Sequence, residues 1–356
     1  MGSEISRDAR VFLVGTGVVG NAVLAIAHGT TGTRPAGLEL VGVANTRASR
    51  IVEAGSKLEE ADARAVVTAP TGGEAVVISD DVLDALAKHP HPVLVDATAA
   101  DGMEDLYVRA LERGIHVVTA NKKPLVAPWP KRQRLFDTTR RKDGARFRYE
   151  ATVGAGLPVI ETLKDLVRTG DRVRRIECVL SGTLGFVANA IHAGTPLSRA
   201  VATAKDRGYT EPDPREDLLG TDVARKVVIL ARELGAALEL GDVDLQPFVH
   251  ASVRNLEDVD AELAVRVNRL RGRGEKLVYL ARVDVDADGT TVRASAGPVA
   301  VAADHPAATL GGSSALVAFT TARYDRDPLV VRGSGAGGAV TASALFSDVL
   351  KATGQT

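Results

Sequence analysis

The sequence predicts an α/β protein with two domains, a Rossmann dinucleotide-binding domain followed by an α+β domain. Strand and helix patterns alternate through the first half of the chain, as in doubly wound parallel sheets. A glycine-rich turn follows the first strand, and a hairpin pattern in the second half indicates antiparallel strands. The length of 356 residues is enough for two domains with a buried core.

Composition excludes several classes of protein. The formal net charge of -1 gives no basic surface for nucleic acid or an anionic membrane. No apolar run approaches the ~18 residues of a membrane helix, and the short polar N-terminus lacks a signal-peptide pattern. The one cysteine, Cys178, lies in an apolar run and is expected to be buried and inert. We therefore expect a cytoplasmic protein without nucleic-acid or membrane partners.

The first half carries four strand patterns and three helix patterns. The strands are predicted at 11–14, 40–44, 93–95 and 115–119, and the helices at 18–27, 82–88 and 103–113. Gly114 follows the third helix as a C-cap. Residues 55–78 give no clear pattern.

A second region begins near Glu150. Strand patterns at 276–285 and 291–294 flank Ala287-Asp288-Gly289 and predict a hairpin. Helices are predicted at 158–169, 184–193, 197–207 and 218–235. The tail predicts a strand at 328–332, a glycine-rich turn and a helix at 339–352.

The motif Gly15-Thr-Gly17-Val18-Val19-Gly20 joins the first strand to the first helix. Its glycines permit a tight turn, a close approach of backbone to a pyrophosphate, and close helix–strand packing. The helix start at Val18 then offers free N–H groups to the phosphates. The motif predicts dinucleotide binding, and the alternative is a plain glycine-rich turn.

The second strand ends in Asn45-Thr-Arg47-Ala-Ser49-Arg50, without the carboxylate that favours NAD. Two arginines and a serine can hold a 2′-phosphate. We therefore expect NADP to bind at least as well as NAD, with Asn45 and Arg47 at the site. The alternative is that Arg47 and Arg50 begin a solvated helix.

Asp96-Ala-Thr98 follows another buried strand, at the sheet edge where ligands bind. Thr98 is a candidate contact to the nicotinamide or its ribose. The alternative is a helix N-cap cluster.

A predicted helix carries Asp222 and Lys226, which are four residues apart and therefore neighbours on its surface. Both border its apolar stripe, whereas Arg225 and Arg232 fall on the opposite face. The stripe consists of Val223, Val227, Leu230 and Leu234. A lysine held there loses solvent and is a candidate general acid and base. The alternative is an exposed ion pair.

Just upstream, Glu211-Pro-Asp213-Pro is a turn stiffened by two prolines. Rigid carboxylates beside a lysine suit a substrate that carries an ammonium group. The alternative is a solvated acidic loop.

These motifs resemble the homoserine dehydrogenase family from Gly15 to Leu350. The matching stretches are GTGVVG (15–20), TANKKPL (119–125), YEATVGAGLPVIETL (149–163), LSGTLGF (180–186), GYTEPDPREDLLGTDVARKVVILARELG (208–235) and RGSGAGGAVTASALFSDVL (332–350). The long stretch from Gly208 is the most specific of them.

The resemblance implies NAD(P)-dependent interconversion of L-homoserine and L-aspartate 4-semialdehyde, a step toward threonine, isoleucine and methionine. It implies that Lys226 is the acid/base and that Asp222 assists it by binding substrate or ordering water. Glu211 and Asp217 would bind substrate, and Lys122 would reach both substrate and cofactor.

The resemblance also implies a bound Na⁺ or K⁺, held by the backbone carbonyls of Glu150, Val153, Ala155 and Leu157. In the tail, the pattern Gly333-Ser-Gly335-Ala-Gly337-Gly338 follows a predicted strand and opens a helix, so we expect Gly333 and its neighbours to bring further N–H groups to the cofactor. The alternative is a plain turn. The implied domains are 1–150 for the dinucleotide and 151–332 for substrate and dimerisation, with 333–356 returning to the first. A homodimer would form partly through the sheet of the second domain.

The sequence departs from its family at Phe186, where many relatives carry tyrosine, and we expect neither an ACT domain nor a kinase domain. We therefore expect no threonine feedback through an ACT domain. One alternative is another NAD(P)-dependent amino-acid or semialdehyde dehydrogenase. Oxidation of a semialdehyde through a thioester needs a nucleophilic cysteine, and the sole cysteine, Cys178, lies in an apolar run, which argues against this route. Another is a redox-silent dinucleotide-binding regulator, which need not keep Glu211, Asp222 and Lys226 together.

Overall fold

The computed structural model describes residues 8–30, 32, 35–70, 77–140, 144–210, 213–250, 252–312 and 314–355. The chain divides into two compact units. The first comprises Met1–Gly156 with Gly337–Thr356, and the second Leu157–Ala336. Among the described helices, none has the length and apolar character that crossing a bilayer requires.

The described residues form twelve strands and thirteen α-helices, which alternate most regularly in the first half of the chain. The strands are β1 (Ala9–Val14), β2 (Leu38–Ala44), β3 (Ser49–Ile51), β4 (Pro92–Asp96), β5 (His116–Thr119), β6 (Phe147–Arg148), β7 (Val173–Val179), β8 (Asp244–Leu245), β9 (Glu275–Val285), β10 (Val292–Ala302), β11 (Ser314–Thr321) and β12 (Leu329–Ser334). The helices are α1 (Val18–Ala27), α2 (Glu60–Val67), α3 (Asp80–Ala87), α4 (Met103–Glu112), α5 (Lys123–Val126), α6 (Trp129–Thr138), α7 (Ile160–Arg168), α8 (Gly182–His192), α9 (Leu197–Asp206), α10 (Pro214–Leu218), α11 (Thr221–Glu233), α12 (Asp260–Gly272) and α13 (Gly338–Thr353).

The sheet of the first unit has the order β3-β2-β1-β4-β5-β6, and only β3 runs antiparallel to its neighbour. Val14 pairs with both Ala44 and Asp96, and Asp96 pairs with Thr119. These four residues therefore end their strands at one side of the sheet, which we call the carboxyl edge. From β1 the chain passes to β2 and β3 on one side of the sheet, and it then crosses to β4, β5 and β6 on the other side. The topological switch point therefore lies between β1 and β4. The Rossmann prediction is confirmed.

The sequence predicted the longer strands and helices of the first unit, whereas β3, β6, α2, α5 and α6 were not predicted. Gly114 ends α4 with φ +78, and the Ile115 N–H donates to Ala110 O at 3.0 Å, as a C-cap glycine requires. The unassigned stretch 55–78 contains α2. Arg50 lies on β3, so the alternative of a helix beginning at Arg47 is wrong.

The C-terminal helix α13 belongs to the core of the first unit. Ala342, Leu345 and Val349 are buried in one cluster with Val23 and Leu24 of α1. α13 therefore closes the apolar side of the helix that begins at the glycine turn.

The second unit has a sheet of order β12-β11-β7-β9-β10-β8. The predicted hairpin is confirmed, because β9 pairs antiparallel with β10 along its whole length, from Val285↔Val292 to Glu275↔Ala302. β8 is the exception to antiparallel pairing, since it runs parallel to β10. With helices between its mostly antiparallel strands, this unit agrees with the predicted α+β domain.

Alternate residues of β9 bury against different neighbours on the two faces of this sheet. Tyr279 stacks on Phe248 at 6.2 Å, on the side of α11. Val278 and Leu280 join an apolar cluster with Leu310, beside the short 3-10 helix Pro306–Thr309. Both faces of the central strands are thus covered.

The predicted helix 218–235 is two helices. α10 ends at Leu218 and α11 begins at Thr221, with Gly220 between them at φ +75. A Cβ on Gly220 would overlap the hydroxyl of Tyr279. Glycine is therefore needed both for its backbone angle and for the close approach to β9.

Candidate dinucleotide and substrate sites

The glycine turn has the geometry that its sequence predicts. Gly15 is buried at φ +98 and its N–H donates to Ala44 O at 2.8 Å. A Cβ on Gly20 would overlap the carbonyl oxygen of Gly15, so only glycine lets α1 start this close to β1. Gly17 and Val18 are exposed, with Val18 at 79%. The first turn of α1 therefore presents its N–H groups at the surface, as a phosphate site requires.

Thr98 lies against this turn. A Cβ on Gly15 would come within 2.7 Å of the Thr98 methyl carbon. The Thr98 N–H donates to Asp96 Oδ1 at 2.7 Å, and its hydroxyl accepts from the Ala100 N–H at 3.1 Å. The structure thus brings Thr98 and the glycine turn together at the switch point.

Asn45 organises the turn between β2 and β3. Its Oδ1 accepts from the backbone N–H groups of Arg47 and Ala48 at 2.8 and 3.0 Å. Its Nδ2 donates to Thr16 Oγ1 at 3.0 Å and to Val66 O at 2.9 Å. Asn45 therefore ties the end of β2 to the glycine turn.

Arg47 and Arg50 are both exposed, but they have different partners. Arg47 Nη2 donates to Val67 O at 2.5 Å. Arg50 Nη2 lies 3.0 Å from Asp62 Oδ1 on α2. Because Arg50 is already ion-paired, Arg47 is the better candidate for a 2′-phosphate.

A buried hydrogen-bond network underlies the carboxyl edge. Asp96, Tyr107, Thr119 and Asn121 are each at most 2% exposed. Tyr107 Oη donates to Asp96 Oδ2 at 2.5 Å and lies 2.8 Å from Thr119 Oγ1. Burial first, and then the charge of Asp96, raise the pKa of Tyr107 well above its ordinary value. The tyrosine is therefore a stable proton donor to the carboxylate.

Neither Tyr107 nor Asn121 was predicted from the sequence as a site residue. The available signals were a carboxylate ending an apolar strand and a tyrosine within the helix pattern at 103–113. Neither signal shows that the two side chains meet, since they lie on a strand and a helix that only folding brings together.

Lys122 follows this network directly. It is half-buried and precedes α5 as its N-cap residue. The Lys123 N–H donates to Asn121 Oδ1 at 3.1 Å, and Asn121 Nδ2 donates to Ala100 O at 2.9 Å. The backbone on either side of Lys122 is therefore fixed to the end of β4.

The segment proposed to coordinate a cation begins with the 3-10 helix Glu150–Thr152. The Glu150 N–H donates to Asp348 Oδ2 at 2.8 Å, and its carbonyl accepts from Val153 at 3.4 Å, a weak contact. Ala155 has a left-handed φ of +57, unusual for a residue with a side chain. Leu157 belongs to the second unit, where its carbonyl accepts from Val159 at 2.9 Å.

In the second unit, Lys226 is shielded and held at its amine. The residue is 9% exposed. Its Nζ donates to Leu180 O at 2.6 Å and lies 2.8 Å from Asp222 Oδ2. Leu180 follows β7, and Ser181 caps α8 through its hydroxyl. The alternative of an exposed ion pair is wrong, because only the Asp222 side chain is substantially exposed, at 51%.

The acidic turn is described in part. Asp213 is exposed and caps α10 by accepting from the Arg215 N–H at 3.0 Å. Asp217 is half-buried within α10. Glu211 lies outside the described residues.

Two sequence predictions need correction in the second unit. Arg232 does not lie on a solvated face: its side chain is 0% exposed and donates to Leu238 O and to Glu239. The segment after α11 folds back to supply these acceptors. Gly333 lies within strand β12, paired with Ala315, rather than in a turn that opens a helix. The helix begins at Gly338, and 333–336 stay in the second unit.

The first unit is a Rossmann domain with its glycine turn, and the second unit carries a shielded lysine–carboxylate pair. Together these features place the protein among NAD(P)-dependent oxidoreductases. Family models narrow this class. The model described as "Homoserine dehydrogenase, NAD binding domain" matches residues 15–150, and that described as "Homoserine dehydrogenase" matches residues 158–350. The chain belongs to the homoserine dehydrogenase family.

Curated relatives agree with this assignment. The chain is 44% identical over 272 residues to a chloroplastic bifunctional aspartokinase/homoserine dehydrogenase 1 of Zea mays, a match covering 74% of this chain and 29% of that protein. It therefore spans less than a third of the length of that relative. It is 39% identical over 292 residues to a homoserine dehydrogenase of Paracoccidioides brasiliensis, covering 76% of this chain and 77% of that protein.

Solved structures share the fold over nearly the whole chain. A Candida auris protein of unknown function matches with a TM-score of 0.84 and 32% identity, over 98% of this chain and 99% of that one. A hyperthermophilic archaeal homoserine dehydrogenase in complex with NADPH matches with a TM-score of 0.72 and 25% identity, over 98% of both chains.

Proposed function

We propose that this chain interconverts L-homoserine and L-aspartate 4-semialdehyde with NADP or NAD, and that Lys226 exchanges the alcohol proton. The observation that carries the proposal is the position of the Lys226 amine, 2.8 Å from Asp222 and 2.6 Å from the Leu180 carbonyl in a shielded setting. Family membership supplies the substrate class.

The two partners of Lys226 orient it for proton transfer. An ammonium has three N–H donors, and the described contacts use two of them, on Leu180 and Asp222. The third can point at a substrate oxygen. When bound, the nicotinamide accepts or donates the hydride at its C4 position. In alcohol oxidation Lys226 Nζ takes the hydroxyl proton, and Asp222 stabilises the ammonium that forms.

Carboxylates that precede α11 in the sequence suit the rest of the substrate. Homoserine carries an ammonium group, which a carboxylate recognises through charge-assisted hydrogen bonds. We assign this role to Glu211 and Asp217. The two prolines that flank Asp213 limit the conformations of the loop and lower the entropy cost of binding.

The preference for NADP over NAD rests on Arg47. Arg47 is exposed and donates to Val67 O, and Asn45, not a carboxylate, follows β2. The NADPH bound by the archaeal relative supports NADP as a cofactor of this fold. Gly15, Gly17, Val18, Val19 and Gly20 would hold the pyrophosphate, with Lys122 and Thr98 toward the nicotinamide.

We also propose a monovalent cation at the chain segment 150–157. Backbone carbonyls are suitable ligands for Na⁺ or K⁺. The left-handed Ala155 indicates a loop held in an unusual conformation, as at ligand sites. We expect activity in a potassium buffer to exceed that in a tetramethylammonium buffer. Equal activity in the two buffers would remove the cation from the proposal.

We also propose a homodimer formed through the second sheet, in the cytoplasm. None of the six residues of β12 is buried, and Val330 is 38% exposed. An edge strand without a buried face is a site for association. Light scattering at micromolar concentration should give twice the chain mass, and the mass of one chain would contradict the dimer.

The experiment for the activity is a cofactor assay with a substrate panel. NADPH formation at 340 nm should require L-homoserine and should not occur with L-serine or L-threonine. Cofactor binding without turnover on homoserine would instead indicate a redox-silent regulator. A thioester-forming dehydrogenase is not favoured, because Cys178 is buried and its pKa is raised by burial and by the charge of Glu177.

A further inference from the structure

Asp96 is a buried carboxylate at the sheet edge where the nicotinamide half of a dinucleotide is expected. It is 0% exposed and accepts hydrogen bonds from Tyr107 Oη at 2.5 Å, the Thr98 N–H at 2.7 Å and Asn121 Nδ2 at 3.2 Å. Burying a charge costs stability, and an apolar side chain at the same place is often the cheaper solution. The carboxylate therefore calls for a role beyond filling the core.

The donors to Asp96 come from both turns at the carboxyl edge. Thr98 belongs to the turn after β4, whereas Asn121 belongs to the turn after β5. These two turns carry two of the predicted cofactor contacts, Thr98 and Lys122. The Asp96 carboxylate thus fixes the distance between the turn that contacts Gly15 and the turn that leads into Lys122.

The directions of the protons form a single chain. Tyr107 gives its one proton to Asp96, so the hydroxyl of Thr119, 2.8 Å away, donates to Tyr107. The oxygen of Thr119 in turn accepts from the Asn121 N–H at 2.8 Å. Hydrogen bonds linked in this way polarise and strengthen one another. Loss of one hydroxyl would loosen the Asn121 backbone beside Lys122.

We infer that Asp96, Tyr107 and Thr119 are positioning residues that fix the nicotinamide-binding turns without contacting the adenosine half. The inference rests on the proposed function. In a doubly wound sheet the two halves of a dinucleotide bind on opposite sides of the switch point. Adenosine then lies over β1 and β2, and nicotinamide over β4 and β5, where this network sits.

The test compares two ligands that differ only in the nicotinamide end. NADPH carries both halves, whereas 2′-phospho-ADP-ribose lacks the nicotinamide. We expect Tyr107→Phe to weaken NADPH about tenfold, consistent with the loss of a hydrogen bond to a charged group, and to leave 2′-phospho-ADP-ribose within twofold. If the protein prefers NADH, ADP-ribose replaces the phosphorylated analogue.

A matched control removes a similar bond from the other unit. Thr321 donates to Asp171 at 2.7 Å, and both are buried. Thr321→Val should lower the melting temperature comparably but leave the affinity for both ligands within twofold. Thr119→Val should behave like Tyr107→Phe, whereas Thr119→Ser should keep wild-type affinity because it keeps the hydroxyl.

The decisive quantity is the ratio of the affinity for NADPH to the affinity for 2′-phospho-ADP-ribose. If this ratio stays within twofold of wild type in folded Tyr107→Phe or Thr119→Val, the inference is overturned. If neither variant folds, hydrogen exchange on the wild-type protein decides. NADPH should slow exchange at residues 119–125 more than 2′-phospho-ADP-ribose does, and equal protection would reject the inference. Wild-type protein that binds neither ligand would instead contradict the proposed function.

Discussion

Lys226 donates a 2.6 Å hydrogen bond to the carbonyl oxygen of Leu180, so α11 is joined to the end of β7 through the proposed acid/base itself. Ser181 then caps α8 and starts it at the same point. The amine is thus positioned by backbone, which does not rotate away as a surface side chain would. Asp222 supplies the opposite charge from one turn earlier in the same helix.

The start of α11 depends on Gly220, and we predict that Gly220→Ala destabilises the protein strongly. A left-handed residue with a Cβ costs about 1–2 kcal/mol, and overlap with the Tyr279 hydroxyl adds about 1–3 kcal/mol. Gly235→Ala is the matched control, since Gly235 has φ +89 but open space around a Cβ. Thermal melts should show the larger fall for Gly220→Ala, and equal falls would argue against the contact with Tyr279.

Glu177 gives a prediction about acid stability. Burial alone would raise the pKa of this carboxyl, but hydrogen bonds and charge from Arg282, with a smaller effect of His305, lower it below its ordinary value. Arg282 Nη2 lies 2.7 Å from Glu177 Oε1, and His305 Nε2 lies 3.3 Å from Oε2. A lowered folded pKa stabilises the protein above the unfolded pKa, and this stabilisation is lost as pH falls through the folded pKa.

Glu177→Gln should therefore lower the melting temperature by a few degrees near neutral pH and by progressively less toward about pH 3. Glu262→Gln, at an exposed position on α12, should melt like wild type throughout. A deficit of Glu177→Gln that stays constant across this range would show that its charge is not the cause.

Arg47 should decide how strongly the 2′-phosphate contributes to binding. Loss of a charge-assisted hydrogen bond of about 1.5–3 kcal/mol predicts that Arg47→Ala raises the Kd of NADPH at least about tenfold and leaves NADH within twofold. Arg64→Ala removes an exposed cation on α2 that pairs with Glu60 and should change neither. Fluorescence titration measures both cofactors, and equal weakening of the two would remove Arg47 from the phosphate site.

Patterns that are local in the sequence predicted most of the first unit. The turn from Gly15 to Gly20 and the four longer parallel strands depend on contiguous residues, so their sequence signals are complete. β3 was missed because three residues carry little periodicity, and it forms by pairing with β2.

Features of the site that depend on distant partners could not be predicted in the same way. Arg232 was placed on a solvated face because helix periodicity does not show that Leu238 and Glu239 return to accept its hydrogen bonds. Likewise, Asp96 and Tyr107 are 11 residues apart and lie on β4 and α4. Only the packing of α4 against the sheet brings the two side chains together. Asp222 and Lys226 were predictable as a pair, whereas the Leu180 carbonyl was not.

Turnover of Lys226→Ala with L-homoserine and NADP at 340 nm tests the central claim most directly. Loss of a general acid/base costs about 100-fold to 10,000-fold, so kcat should fall at least about 100-fold while the Kd of NADPH stays within threefold. Lys164→Ala is the control, because Lys164 is also shielded, at 18% side-chain exposure, and pairs with Glu161 on α7; its kcat should stay near wild type. A kcat for Lys226→Ala within about threefold of wild type would contradict the assignment of the proton to this lysine.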